Sequence, residues 1–482
     1  MSKINDYLEK NYIKFPNDIG LIYRENEIYK EITNSEIYEF INSLVAKLNG
    51  KYKDVAIIGN NKLEWIISFW AVFGYVGDVI AIDKELDKDN ILEIFDLEKP
   101  DLVIIDDEIN VKFEQYECMY FSQVNEMMKE KTDRVLNDRH SGNLYLHTSG
   151  TTGTQKLVKL DEKNLFGVIP ELNKKWEVTH KDTCLFIIPL YHIYALTTMF
   201  HSMYAGVTII LETDYKRMES VLKETKPTLF MGVPLMYNKI KENILSNNAI
   251  LIKIMISVSN ILRKVGIDIR KKMFKKIHDF FGGKYFFGCS AGSLLSYDTN
   301  KFFDDVGLPI YNVYGMTETS GPVAMNYKNN NDYNSVGKIL NINTVKIISE
   351  NKNGIGEIWV KGSNVFKGYI GNKKVNCIEN GYFDTGDMGY IKNDFLYVKG
   401  RKKNILIGDN GKNIAPEELI GKLLQYKEIN DANVLMKNNR IYVIINTELE
   451  ENKVKEIIDK INIKLPKYKK ISGYEITQRK IK

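Results

Sequence analysis

The chain has few cysteines and none of the segments that mark secreted or membrane-spanning proteins. Its 482 residues include four cysteines, which lie far apart and form no paired metal-binding spacing: Cys118, Cys184, Cys289 and Cys377. Residues 1–6 contain no apolar signal core, and the most apolar run, residues 65–77, is too short to span a bilayer and stops at Asp78. We therefore expect reduced thiols, a cytoplasmic location and no transmembrane segment, with at most a transient contact with a membrane surface.

The sequence also has a small net charge and little repetition. The net charge of +5 is small for this length, and the lysines are spread along the chain, so the sequence shows no nucleic-acid-binding footprint. We find no internal repeat and no long low-complexity linker. The apolar fraction of 44% and the charged fraction of 27% are those of an ordinary globular protein. At this length we expect roughly two to four domains.

Strand and helix patterns alternate along much of the chain. Residues 33–36 form a capping box that opens a helix ending near Gly50, and an apolar strand follows at residues 54–58. Similar alternation continues to about residue 288, although the stretch from Ile240 to Phe280 is long, basic and helical throughout. Alternation of this kind predicts an α/β fold with doubly wound parallel sheets.

The pattern changes after about Gly321. Short β-rich segments with Asn and Gly turns predict a small β subdomain at about residues 322–400, within an N-terminal domain of residues 1–400. A compact α+β end-piece follows over residues 401–482. It includes a hairpin predicted across Asn438 and Asn439.

Hydroxyl groups and glycines are concentrated in residues 148–154, between two apolar segments that we predict to be strands. Glycines let backbone N–H groups approach an anion closely, and the hydroxyls and Lys156 add donors and charge. The composition fits a phosphate-binding loop, although it is not the Walker pattern. The alternative is an ordinary polar surface loop.

A second cluster occupies residues 311–320. Tyr314 offers an aromatic face, Gly315 a turn, Thr317 a hydroxyl and Glu318 a carboxylate. Such a set can stack on a base, hold a phosphate and bind Mg²⁺, which prefers hard oxygen ligands. The alternative is a strand end followed by a capped helix.

Two further clusters lie in the β-rich region and at its end. Asp387 follows a Thr-Gly turn and is suited to accept hydrogen bonds from vicinal hydroxyls of a ribose, although a simple β-turn is the alternative. Residues 400–418 combine a basic turn, an apolar strand and a helix start, which is also the pattern of a domain junction.

Together, these four clusters, in this order, resemble the motifs of the adenylate-forming superfamily, which includes acyl-CoA synthetases, luciferases and adenylation domains. The resemblance extends from about Tyr23 to about Tyr474. Residues 189–194 and 400–418 are most similar to the fatty-acyl-CoA synthetases. The resemblance implies a small mobile C-terminal domain that rotates about a hinge at Lys403.

The implied activity is the ATP-dependent conversion of a carboxylic acid, here a fatty acid, to an acyl adenylate. The acyl group then passes to the thiol of coenzyme A, with Mg²⁺ as the metal. Two alternatives remain open. In the first alternative, the acyl group passes to the phosphopantetheine thiol of an acyl carrier protein instead of coenzyme A. In the second, the chain binds nucleotide without turnover.

The resemblance also implies roles for individual residues. The ATP phosphates would be held by Thr148, Ser149, Gly150, Thr151, Thr152, Gly153 and Lys156. The adenine and the acyl group would be bordered by Ser290, Ala291 and Gly292, with Tyr314 and Gly315 at the adenine. The catalytic residues would be Thr317 at the α-phosphate, Glu318 at Mg²⁺ and Lys403 at the hinge. The ribose would be bound by Asp387 and Arg401, pantetheine would pass Gly411, and His192 would lie beside the acyl pocket.

One departure from the family pattern concerns the lysine that usually follows a Gly near the C-terminus. Here the segment that begins at Pro466 is present, but no Gly-Lys pair follows it, and Lys480 and Lys482 lack the expected context. We therefore expect either a truncated chain or a weakened adenylating half-reaction.

Overall fold

The fold is that of a computed structural model of the chain. The structure describes residues 3–130, 132, 136, 140, 142–149, 155–246, 248–352, 354–371, 377–402, 406–407, 413–414, 416–437, 440–463, 465 and 469–478. The chain forms two compact units. The first contains residues Met1–Pro234, Ile250–Thr344 and Lys361–Phe383. The second contains Leu235–Ala249, Val345–Val360 and Asp384–Lys482. The domain boundary at residue 400 and the hinge at Lys403 stay predictions.

The helices in chain order are α1 Lys3–Lys14, α2 Asn34–Leu48, α3 Leu63–Ala71, α4 Lys88–Glu98, α5 Phe121–Lys129, α6 Glu162–Phe166, α7 Ile169–Trp176, α8 Ile193–Ala205, α9 Met218–Thr225, α10 Pro234–Ser246, α11 Ala249–Lys264, α12 Arg270–Met273, α13 Lys275–Phe280, α14 Tyr297–Asp305, α15 Pro416–Leu423 and α16 Glu451–Ile463. A π-helical turn at Val72–Val76 continues α3, and 3₁₀ turns lie at Tyr215–Arg217 and Thr317–Thr319.

The strands in chain order are β1 Ile19–Glu25, β2 Ile28–Thr33, β3 Asp54–Ile58, β4 Asp78–Ile82, β5 Leu102–Ile105, β6 Cys118–Tyr120, β7 Leu144–Ser149, β8 Gln155–Leu160, β9 Thr183–Phe186, β10 Thr208–Leu211, β11 Leu229–Gly232, β12 Phe287–Ser290, β13 Ile310–Met316, β14 Gly321–Met325, β15 Gly337–Ile339, β16 Asn343–Ile348, β17 Gly356–Gly362, β18 Tyr369–Ile370, β19 Ile378–Glu379, β20 Tyr382–Lys392, β21 Phe395–Arg401, β22 Leu406–Ile407, β23 Asn413–Ile414, β24 Ile429–Lys437, β25 Arg440–Thr447 and β26 Ile471–Thr477.

Two sheets with parallel cores build the first unit. In one, the strands run in the order β2-β1-β10-β9-β11-β12-β13-β14-β15, with parallel pairing from β1 to β13. In the other, the order is β6-β5-β3-β4-β7-β8-β18, with parallel pairing from β6 to β7. Strands β4 and β5 are buried along their whole length, which explains their nearly continuous apolar sequences. The predicted doubly wound α/β arrangement is confirmed.

The predicted capping box at the start of α2 is confirmed. The Thr33 hydroxyl accepts a hydrogen bond from the Glu36 backbone N–H at 3.2 Å, and the Glu36 carboxylate accepts one from the Thr33 backbone N–H at 2.7 Å. Both groups would otherwise lack partners at the helix end, so this pair fixes where the helix begins.

The helical stretch predicted from Ile240 to Phe280 is interrupted in the structure. Helix α11 ends at Lys264, and Gly266 follows with a φ of +83°. The backbone N–H of Gly266 donates to Arg263 O, and that of Ile267 donates to Leu262 O, each at 3.0 Å. Because a side chain is disfavoured at positive φ, the glycine ends this helix and lets the chain turn into α12.

The second unit contains a β-rich part and an α+β end-piece. Strands β16, β17, β20 and β21 lie side by side in that order. In the end-piece, β24 and β25 form the predicted antiparallel hairpin, and β26 joins β25 in parallel. Leu419 of α15 and Ile458 of α16 pack into one apolar core with Val443 of this sheet.

Within the residues that the structure describes, no single helix is both long and apolar enough to cross a bilayer. The consecutive helices α10 and α11 satisfy those limits only when they are counted together across the bend between them.

Candidate active site

The hairpin of β7 and β8 carries the predicted phosphate loop at its tip. Thr148 lies directly opposite Lys156 in the antiparallel register, so the chain must turn between them. Residues 150–154, which include Gly150, Thr151, Thr152 and Gly153, lie outside the described residues, as does the side chain of Ser149. The structure therefore places the two stems of the loop, and the contacts of its tip stay predictions.

A short chain of contacts joins this hairpin to the second predicted cluster. The Lys156 ammonium lies over the Tyr369 ring, 4.7 Å from its centroid. The Tyr369 hydroxyl donates to Glu318 Oε1 at 2.6 Å. Lys156 and Glu318, which the sequence assigned to separate motifs, thus touch opposite parts of one tyrosine.

Backbone contacts hold Tyr369 in this position. Strand β18 pairs with β8, and Tyr369 lies opposite Val158. The backbone N–H of Phe366 donates to Glu318 O at 2.8 Å. The buried Asn364 amide donates to Thr319 O at 2.9 Å. Residues 364–370 therefore connect the 3₁₀ turn at Thr317–Thr319 with the phosphate-loop hairpin.

The turn that carries Glu318 is fixed by close backbone approach and by a side-chain cap. A Cβ on Gly315 would lie 2.0 Å from Gly321 O, so no other residue fits there without moving the backbone. The Met316 backbone N–H donates to the Thr319 hydroxyl at 3.0 Å. Tyr314 and Thr317 remain partly exposed, and Glu318 is only 9% exposed. The glycine and the cap thus fix the backbone of the turn that carries Tyr314, Thr317 and Glu318.

Glu318 accepts a hydrogen bond from Tyr369, and no cation among the described residues forms an ion pair with it. Among the described residues we find no ion pair to its carboxylate, although it is buried. A buried carboxylate normally has a positive partner or coordinates a metal ion. The described residues contain no group of three or more His, Cys, Asp or Glu side chains that could hold a metal alone. One carboxylate fits Mg²⁺, which is usually bound by one or two carboxylates together with substrate phosphates.

The predicted border of the adenine and acyl group lies at the end of β12. Ser290 pairs with Gly232 of β11 and with Asn312 of β13, and parallel strands end together at one edge of a sheet. The Ser290 hydroxyl is buried and has no hydrogen-bond partner among the described residues. Ala291 is buried, and Gly292 has a φ of +84° that lets the chain turn away from the sheet. An unpaired buried hydroxyl at this edge is suited to a ligand or a water.

His192 lies at the start of α8 in a small polar cluster. Its ring meets that of Tyr191 edge to face at 4.6 Å, and burial together with the nearby Asp83 carboxylate raises the pKa of Tyr191. His192 is exposed, but surrounding protein atoms lower its pKa by desolvation, while Asp83 acts in the opposite direction. Burial also lowers the pKa of His147; Asp83 opposes this and His192 adds to it. Both imidazoles are therefore neutral at neutral pH.

In the second unit, Asp387 and Arg401, which are both predicted to bind the ribose, form an ion pair with each other. They lie opposite each other in β20 and β21, and the Arg401 Nε is 3.0 Å from Asp387 Oδ1. The Asp387 carboxylate is buried, whereas most of the Arg401 side chain is exposed. Arg401 also donates to Thr385 O at 2.9 Å, and the Thr385 hydroxyl donates to Ile358 O at 2.8 Å. These contacts hold the carboxylate at a defined place on the sheet.

Two further predicted site residues lie beyond residue 402. Lys403 and Gly411 lie outside the described residues, as do Lys480 and Lys482. The hinge, the pantetheine contact and the expectation about the C-terminal lysine therefore stay predictions.

The sequence analysis missed two residues of this region. Tyr369 belongs to a two-residue strand whose pairing with β8 has no local signal in the sequence. His147 directly precedes Thr148, and its Nδ1 is buried without a partner among the described residues. A histidine between an apolar strand and a hydroxyl-rich loop was the available signal for it.

Sequence comparisons connect the chain to known proteins. A model of the family described as AMP-binding enzyme matches residues 8–370. The long-chain-fatty-acid–CoA ligase ACSBG2 of Mus musculus is 31% identical over 333 residues, which are 61% of this chain and 49% of that protein. The 2-succinylbenzoate–CoA ligase of Lactococcus lactis is 23% identical over 465 residues, which are 93% and 92% of the two chains. The chain spans about half the length of the long-chain ligases it matches.

Solved structures share the fold. The O-succinylbenzoate coenzyme A synthetase MenE from Bacillus subtilis, in complex with ATP and magnesium ion, has a TM-score of 0.76 and 21% identity. The match covers 98% of this chain and 96% of that one. The anthranilate CoA ligase AuaEII, in complex with anthranoyl-AMP, has a TM-score of 0.79 and 17% identity, with 99% and 93% covered. These likenesses confirm the predicted fold class.

Proposed function

The chain belongs to the AMP-binding enzyme family, and from that premise we propose that it joins a fatty acid to coenzyme A at the expense of ATP. The chemistry has two steps, adenylation of the acid and transfer of the acyl group to a thiol. The long-chain-fatty-acid–CoA ligases among its relatives support the choice of acid and acceptor.

The observation that carries this proposal is the contact chain Lys156–Tyr369–Glu318. It brings a cation from the phosphate-loop hairpin and a buried carboxylate, which has no ion-pair partner among the described residues, to opposite parts of one side chain. A reaction at the α-phosphorus of ATP needs a cation for the phosphates and a carboxylate for the metal, close together. We would not expect Lys156 and Glu318 to contact the same side chain if they had unrelated roles.

In the first step, an oxygen of the acid's carboxylate attacks the α-phosphorus, and pyrophosphate leaves. Lys156 binds the phosphates, Thr317 donates a hydrogen bond to the α-phosphate, and Tyr314 stacks on adenine. Glu318 holds Mg²⁺, which when bound neutralises negative charge on the phosphates. The protein contributes mainly position and charge, because it forms no covalent bond with either reactant.

In the second step, the thiol of coenzyme A attacks the carbonyl carbon of the acyl adenylate, AMP leaves and the thiol proton is released. Because His147 and His192 are neutral, they can border the acyl group and form hydrogen bonds there without adding charge. Asp387 and Arg401 bind the ribose. Lys403 is the hinge of the small domain, and Gly411 borders the pantetheine path.

We also propose that the protein works in the reducing cytoplasm. The structure shows no disulfide among the four cysteines, all of which lie in its described part, and Cys184 and Cys289 are buried. Burial raises the pKa of the Cys184 thiol, so this group stays protonated and unreactive. Free thiols in a chain of this size fit a compartment without disulfide formation.

Product identification tests the proposal. The protein is incubated with ATP, Mg²⁺, coenzyme A and a pool of fatty and aromatic acids, and the products are identified by mass spectrometry. We expect a fatty acyl-CoA together with AMP. Formation of ADP, or of no thioester from any acid, would contradict the assignment. A parallel reaction with a phosphopantetheinylated carrier protein in place of coenzyme A shows which thiol is the acceptor.

Replacing Tyr369 with Phe should raise the Mg²⁺ concentration needed for activity. The change removes the hydroxyl that orients Glu318 but keeps the ring beneath Lys156. Loss of a residue that orients a metal ligand typically weakens metal affinity by about 10–100-fold. The measurement is the Mg²⁺ dependence of AMP formation at saturating ATP.

Tyr390→Phe is the matched control, because Tyr390 lies in β20 of the second unit and is not among the predicted site residues. An unchanged Mg²⁺ requirement in folded Tyr369→Phe protein would show that the tyrosine does not act through Glu318.

A further inference from the structure

Helix α11 carries a continuous stripe of exposed apolar side chains. Its members, with the residue just beyond the helix, are between 44% and 79% exposed: Ile250, Leu251, Ile254, Val258, Ile261 and Val265. From Leu251 onward they recur at spacings of three and four residues, which places them on one face of a helix. Single exposed apolar residues are ordinary on a protein surface, but a stripe of this length marks a contact site.

The opposite face of α11 is attached to the rest of the first unit. Ser259 is buried, the Asn260 amide donates to Asp305 Oδ1 at 3.0 Å, and Arg263 contacts Asp304 at 3.2 Å. Both aspartates belong to α14. These contacts fix the rotation of the helix about its axis, so the apolar stripe faces outward.

The charged side chains of α11 are all positive. Helix α11 contains no Asp or Glu. Lys253 and Lys264 are exposed, and at 100° per residue both fall on the same flank of the stripe. Four more lysines are exposed on the two helices that follow: Lys271, Lys272, Lys275 and Lys276. Of these, Lys275 forms an ion pair with Asp279.

We propose that α11 is a membrane-docking helix that lies in the headgroup region of an anionic bilayer. An apolar face with lysines on its flank is the pattern of a helix that lies in the membrane interface: the apolar side chains enter the acyl boundary and the ammonium groups stay at the lipid phosphates. The positive charge complements anionic lipid headgroups. The same positive charge disfavours a second copy of this chain as the partner that covers the apolar face of α11, because a symmetric contact would bring like charges together.

Vesicle binding by the full chain tests the proposal, and it requires neither ATP nor turnover, so it succeeds or fails independently of the proposed reaction. The probes are flotation with vesicles of phosphatidylcholine alone and of equal parts phosphatidylcholine and phosphatidylglycerol. We expect binding to the anionic vesicles that weakens at high salt, and little binding to the neutral ones.

The decisive variant is I254S/I261S, which removes two outward side chains from the stripe. We expect it to lose about tenfold or more in partitioning into anionic vesicles, because each buried apolar side chain contributes a large part of the affinity. The matched control is I13S/I463S, since Ile13 and Ile463 are exposed isoleucines on other helices. K253E/K264E should lose binding to anionic vesicles without changing the thermal unfolding midpoint.

Three results would overturn the proposal. One is the absence of binding to anionic vesicles at low salt. Another is equal binding by the parent chain and I254S/I261S. The third is a dimer of the parent chain, seen by light scattering, that becomes monomeric in I254S/I261S, because the stripe would then be an interface between copies.

Discussion

Replacing Glu318 with Gln is expected to lower kcat/KM for AMP formation by roughly 100-fold or more. A metal ion at a phosphoryl centre supplies several kcal/mol of charge stabilisation, and each ~1.4 kcal/mol is a factor of ten in rate. Glutamine keeps the shape of the side chain and can still accept from Tyr369, so the fold should survive. What the variant lacks is the negative charge, in a site where the described residues contain no group of three or more His, Cys, Asp or Glu side chains that could hold the metal instead.

The measurement is steady-state AMP formation across a range of Mg²⁺ concentrations. Glu171→Gln is the control. Glu171 is also a largely buried glutamate of the first unit, paired with Lys175 of the same helix at 3.4 Å, and it is not among the predicted site residues. It should leave kcat/KM near that of the parent. A Glu318→Gln protein with parental activity and parental Mg²⁺ dependence would exclude Glu318 as the metal ligand.

Replacing Asp387 with Ala is expected to weaken ATP binding about tenfold or more. Hydrogen bonds to a charged group contribute about 1.5–3 kcal/mol, and the buried carboxylate is proposed to accept from the ribose hydroxyls. The variant should also lose discrimination between ATP and 2′-deoxy-ATP, which lacks one of those donors. Calorimetric titration of both nucleotides measures the two effects together.

The structure adds an alternative that this experiment must separate. Because Asp387 pairs with Arg401, the carboxylate could act only by holding the guanidinium. If so, Arg401→Gln alone would weaken ATP binding as much as Asp387→Ala, and the double variant would lose no more. If the ribose contact is direct, Arg401→Gln retains discrimination against 2′-deoxy-ATP and Asp387→Ala does not. Discrimination that persists in Asp387→Ala would refute the ribose assignment.

Local patterns in the sequence were sufficient to predict much of the fold. The capping box before α2 and the hairpin of β24 and β25 depend on neighbouring residues, and both are confirmed. The stretch at residues 240–280 was predicted as helical, although it contains a single glycine at position 266. The positive φ of that glycine, which ends the helix, is a property of the folded backbone.

The individual motifs of the candidate site could be predicted from the sequence, but their arrangement in three dimensions could not. Lys156 and Glu318 each stood in a recognisable cluster, but nothing in either cluster indicates that Tyr369 lies between them. That tyrosine reaches the site because β18 pairs with β8, and the pairing of a two-residue strand depends on tertiary structure. The same limit applies to α11: its apolar spacing predicts a helix, while exposure of the apolar face is a property of the folded unit.

Acid-dependent exchange of labelled pyrophosphate into ATP is the most direct test of adenylation at the Lys156–Tyr369–Glu318 site. The reaction needs no thiol and therefore isolates the first step. We predict exchange that requires both a fatty acid and Mg²⁺ and that falls to background in Glu318→Gln. Exchange that is independent of any acid, or its absence with every acid although the protein binds MgATP, would contradict the assignment.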